Sequence, residues 1–111
     1  MIYSAIFENY CIIADYSEEG GDFSTVLSKL FKVNRQSLEF YTVTYLNYDC
    51  FFLQENNFTF SCMVNQNLDG EKVLIFLQTL KEKFFKVCRG EKDNMILKTT
   101  NMMRDVMVLK I

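Results

Sequence analysis

The sequence predicts one α+β domain with the element order β-β-α-β-β-β-α-α, its helices enclosing a single sheet. Three observations carry that expectation. The chain opens with two apolar runs hinged at Glu8-Asn9, and its middle holds three more β-rich runs divided by Asn-bearing turns. Two further stretches, after Asp22 and after Asp69, repeat apolar residues every three and four positions, the period of an amphipathic helix.

Residues 2–8 and 10–16 are expected to form a hairpin, because Ile, Tyr, Phe and Val-like types suit a pleated, half-buried ribbon. Met1 leads directly into these β-formers with no basic segment, so no secretory leader is expected. Gly20-Gly21 then breaks the sheet, and Asp22 is placed to cap a helix reaching about Asn34, with Phe23, Val26, Leu27, Leu30 and Phe31 as its stripe.

Runs 38–45, 48–54 and 58–64 read as a three-stranded meander, turning at Asn47 and at Glu55-Asn56-Asn57. In the last run Phe58, Phe60, Cys62 and Val64 share one face, and Thr59, Ser61 and Met63 the other. Asp69 is expected to cap the second helix, about 70–88, with the stripe Val73, Phe76, Leu77, Leu80, Phe84 and Val87. Gly90 ends it. Residues 94–111, with Met95, Met102, Val106 and Leu109, are expected to add a last helix on the same sheet face. The prediction is thus a single domain over 1–111 with its core in 2–89, and a mixed sheet split two plus three by the first helix.

Composition narrows the function classes. Half of the 111 residues are hydrophobic and 17 are Phe or Tyr, a load that needs a core or a standing interface to hide it. A net charge of −2 argues against a nucleic-acid partner, since phosphate contacts demand clustered Lys and Arg. The chain has no histidine, the commonest general base and metal ligand, and its four cysteines form no Cys-x-x-Cys pair. A reduced chain with no catalytic residue, no metal and no cofactor is the expectation. Glu18, Glu19 and Asp22 lack the spacing of a calcium loop and read as a solvated turn. Cys88 beside Arg89 offers at most a weakly activated thiol, with no base to accompany it.

The order and spacing of these pieces resemble a known family. Ile2-Tyr3-Ser4, Ile12-Ile13-Ala14, the helix opening Gly21-Asp22-Phe23, then Phe58-Thr59-Phe60 followed by Phe76-Leu77, Leu80-Lys81 and Phe84 look like the longin domain. That is the N-terminal domain of R-SNAREs of the vesicle-associated membrane protein 7, or synaptobrevin-like, type. The resemblance spans about residues 2–89. It implies a profilin-like fold: five antiparallel strands with one helix on one face and two on the other.

The resemblance also implies a function in vesicle-mediated transport on the cytosolic face of endomembranes. Longin domains of R-SNAREs are protein-binding modules, not enzymes, that take part in sorting and fold back on the SNARE motif. The implied binding surface is a hydrophobic groove between the first helix and the third strand, here Val26, Leu30 and Val33 with Phe40 and Thr42. Thr42 stands where family members usually carry Tyr, which removes an aromatic wall. Implied partners are a SNARE motif, its own or another's, sorting adaptors and other trafficking proteins, with membrane attachment through a segment outside this chain. The competing expectations are a longin-like subunit of a tethering or adaptor complex and, from another class, a small enzyme.

Overall fold

Residues 2–18, 20–66 and 68–89 are described by a computed structural model. The helix expected over 94–111 lies outside them. Seven elements follow in the order β1 (Tyr3–Glu8), β2 (Cys11–Ser17), α1 (Phe23–Asn34), β3 (Phe40–Tyr45), β4 (Tyr48–Glu55), β5 (Phe58–Asn65) and α2 (Gly70–Arg89). The strands form one five-stranded sheet in the order β2-β1-β5-β4-β3. The chain is therefore α+β, as expected, and every pairing is antiparallel, as the resemblance implied, so the mixed sheet read from the element order alone is not what forms. The helical crossover does join strands that run the same way, β2 and β3. They sit at opposite edges of the sheet, so they never pair.

Two-residue loops close all three hairpins, and each places one residue in the left-handed region: Asn9 (φ 56°), Leu46 (φ 53°) and Asn56 (φ 55°). Asn tolerates that conformation because its short polar side chain bonds locally, whereas Leu meets the full steric cost of its Cβ. The strained position of the β3–β4 turn is thus Leu46, not the expected Asn47. At the approach to α1, Gly21 takes φ 141°, and a Cβ there would lie 3.0 Å from the Phe23 ring. No other residue fits that corner without displacement.

Strand alternation gives the sheet two separate cores. On one face α2 buries Val73, Phe76, Leu77, Leu80 and Phe84 against Ile6, Phe51, Leu53, Phe60, Cys62 and Val64. Five of the six stripe residues read from the sequence are buried, and Val87 is half-buried. Phe84 meets Phe58 and Phe60 edge-on at 5.1 and 5.6 Å between ring centres. Each such side chain contributes about 1.5–3 kcal/mol on burial, which holds α2 along β4 and β5.

On the other face α1 packs Leu27 and Phe31 over Ala5, Phe7, Phe52 and Met63. The Phe31 ring stacks on Phe52 at 5.5 Å and tilts against Phe7 at 4.8 Å. Central strand β5 is buried on both faces, so it alternates between the two cores as read from its sequence: Phe58, Phe60, Cys62 and Val64 toward α2, Met63 toward α1.

The two helices begin differently. The Asp69 carboxylate accepts the backbone N–H of Glu71 at 3.0 Å, the capping bond expected there. Asp22 makes no such bond to the backbone of α1. Its carboxylate instead accepts the hydroxyls of Thr25 (2.8 Å) and Ser24 (3.4 Å), which outcompete the peptide N–H groups.

Candidate partner-binding surface

Helix α1 presents three stripes. Leu27 and Phe31 point into the sheet and are fully buried. Three- and four-residue spacing puts Ser24, Ser28 and Lys32 on one flank, and Phe23, Val26, Leu30 and Val33 on the other. The polar flank overlooks edge strand β2, where Ile12 and Asp15 complete an open cleft of about 520 Å³. The apolar flank must then face the middle and far side of the sheet. There Val26 and Leu30 join Tyr41 and Val43 of β3 and Tyr48, Cys50 and Phe52 of β4 in one apolar cluster. Val33, at the end of the flank, is 81% exposed.

This geometry corrects the strand side of the expected groove. Phe40 and Thr42 do not face α1. Phe40 packs into the core beneath α2, with its ring stacked on Phe51 at 5.8 Å, and Thr42 is exposed on that same side of the strand. The reason is the two-residue period of a strand in the register Phe40↔Leu53, Tyr41↔Phe52, Thr42↔Phe51. The β3 residues on the α1 side are Tyr41 and Val43. Of the five candidates, the structure brings together Val26 and Leu30, leaves Val33 solvent-exposed at the helix end, and sends Phe40 and Thr42 to the opposite face. An aromatic side chain on the α1 face of β3 is supplied one residue earlier, by Tyr41. A signal for it was in the strand itself, where Tyr41, Val43 and Tyr45 form one alternating apolar set and Thr42 and Thr44 belong to the other.

Tyr41 stacks on Phe52 at 5.1 Å between ring centres, and burial pushes its phenol up from the ordinary value, partly offset by the Gln36 backbone N–H and by Arg35. Beyond α1 the chain is tied back to the sheet. The Gln54 carboxamide donates to the carbonyls of Gln36 and Leu38, both at 2.8 Å. Arg35 lies 5.1 Å over the Tyr10 ring and donates to its hydroxyl at 2.8 Å. These contacts fix the entry to β3 and border an open polar cleft of about 700 Å³.

The titratable groups have ordinary structural explanations. Cys11, Cys50 and Cys62 are free thiols. Burial drives the Cys50 thiol up to about 12, with Asp49 adding to the effect, and Cys62 is raised further by complete burial. Cys88 is raised as well, by burial and by Glu8. That direction is opposite to the activation considered from its neighbour in sequence, and it suits an inert thiol. Tyr3, buried and donating to Asp15 at 2.7 Å, has its phenol held protonated by burial and by that carboxylate. Among the described residues no cluster of three or more Cys, Asp or Glu side chains is placed to hold a metal ion. Nor is any described helix long and apolar enough to cross a membrane. Comparison of the chain with protein-family models and with curated proteins finds no match.

Proposed function

We propose that the chain is a longin domain of the R-SNARE type, a non-enzymatic protein-binding module of vesicle traffic. The observation that carries this reading is the single apolar cluster that Val26 and Leu30 of α1 share with Tyr41 and Val43 of β3, within a β-β-α-β-β-β-α frame whose two described helices lie on opposite faces. An aliphatic and aromatic surface of this kind is one against which an apolar helix or extended segment can lie. In this reading the occupant is a SNARE motif, its own or a partner's, or a sorting adaptor, and the domain works on the cytosolic face of endomembranes. An intrinsic affinity of about 10 μM is enough for fold-back. A short tether supplies an effective concentration on the order of 1 mM and hence roughly a hundredfold bias to the closed state.

The test is calorimetry against a SNARE-motif peptide. Leu30→Ser, on the half-buried flank of α1, is expected to weaken binding at least about tenfold, as expected for loss of one well-packed aliphatic anchor. Phe40→Ser serves as the opposite-face control and is expected to leave affinity within about twofold, with circular dichroism reporting the fold of both. Equal affinities for wild type and a folded Leu30→Ser would remove the groove from consideration and favour a constitutive subunit of a tethering or adaptor complex.

A further inference from the structure

The two edges of the sheet are built differently. Edge strand β2 carries a bulge, where Ile13 is the extra residue between the pairs Ile6↔Ala14 and Phe7↔Ile12, and a charged side chain at Asp15. Bulges and charges are the usual means of keeping an edge from pairing with another chain. Edge strand β3, Phe-Tyr-Thr-Val-Thr-Tyr, has neither: its register with β4 is unbroken, and it contains no charge, Gly or Pro. It is an unprotected template of β-branched and aromatic residues.

Which backbone groups it offers follows from one bond. The Gln54 N–H donates to the Glu39 carbonyl at 2.7 Å, so Glu39, Tyr41, Val43 and Tyr45 turn their peptide groups toward β4. Phe40, Thr42 and Thr44 then turn theirs outward, and among the described residues no strand pairs with them. This set is symmetric about Thr42. The geometry points to a homodimer in which β3 pairs antiparallel with β3 of a second copy across a twofold axis at Thr42, joining two sheets into one of ten strands.

Only this register satisfies every outward group, through the pairs Thr42↔Thr42 and Phe40↔Thr44. Between them Tyr41 of one copy meets Val43 of the other, an aromatic against a β-branched side chain, and no like charges oppose within the strand. The axis also accounts for two exposed leucines. Leu38 and Leu46, 56% and 73% exposed, lie equally far along the chain from Thr42, so each end of the paired ribbon brings Leu38 of one copy toward Leu46 of the other. A second copy therefore fits this edge better than an unrelated strand, which would match these features only by chance. So short a ribbon falls below the area of permanent interfaces, and the dimer is weak and concentration-dependent.

Sedimentation equilibrium of the full chain from about 5 to 500 μM tests this directly, a range that brackets affinities typical of small contacts. The expected result is a reversible monomer–dimer equilibrium. Thr42→Lys, which sets two ammonium groups across the axis, is expected to weaken it at least tenfold with an unchanged circular dichroism spectrum, while Thr42→Ser preserves it. In a Cys11→Ser background, oxidation is expected to link Thr42→Cys chains into dimers and to leave Val43→Cys chains unlinked, because Val43 faces Tyr41 and not itself. A monomer at every concentration, a dimer untouched by Thr42→Lys, or cross-linking at position 43 instead of 42 would each overturn the proposal.

Discussion

Leu46 shows how one residue can be misfit and informative together. A branched side chain in the left-handed region, 73% exposed, gains little from packing while its backbone costs on the order of 1 kcal/mol. Leu46→Asn is therefore expected to raise stability by about 0.5–1 kcal/mol, read as a higher urea midpoint with an unchanged slope. Selection for folding alone would favour Asn here, as at Asn9 and Asn56. The leucine instead extends an apolar rim next to Tyr45, itself 36% exposed, which fits a contact made outside the monomer.

At the scale of elements, helix starts give a paired comparison. Asp69→Ala removes a bond to the Glu71 N–H and is expected to cost about 1 kcal/mol, whereas Asp22→Ala loses only bonds to hydroxyls and is expected to cost less than half of that. Chemical denaturation of the two variants in parallel checks the ratio. The sequence reads alike at both sites, since an aspartate before an apolar period is the standard capping signal. What it does not display is that Ser24 and Thr25 compete for the Asp22 carboxylate in three dimensions. The same distinction runs through the whole fold. All seven described elements were legible, because period-two alternation in β5 and the three-four stripe of α2 are local patterns that burial merely enforces. The strand order was not, since nothing in β1 names β5 as its second neighbour. The candidate surface was legible only on the helix: the α1 flank follows from helical spacing, but telling which of Thr42 and Tyr41 lies on the α1 face requires the β3–β4 register, which hydrogen bonds set.

The whole molecule stores protonated acids in its cores, and this sets its behaviour in base. Tyr3 and Cys50 have raised values in the fold, Cys50 moving from 9.0 to about 12. A group held protonated in the fold releases its proton more readily when unfolded, so its contribution is complete below pH 9.0 and declines as pH climbs from there toward about 12. Urea midpoints are expected to fall progressively above about pH 9.5, and Cys50→Ala is expected to flatten part of that fall. The placement of β1 has a consequence of another kind. It is made before its neighbour β5, yet it lies in the interior of the sheet, and Tyr3 finds Met63 only when β5 has been made. At a synthesis rate of roughly 5–20 residues per second, β1 and its apolar Ile6 and Phe7 wait several seconds for that neighbour. During this interval the nascent hairpin has a second open edge beside β1, so closure of the sheet is a late, long-range event in its folding.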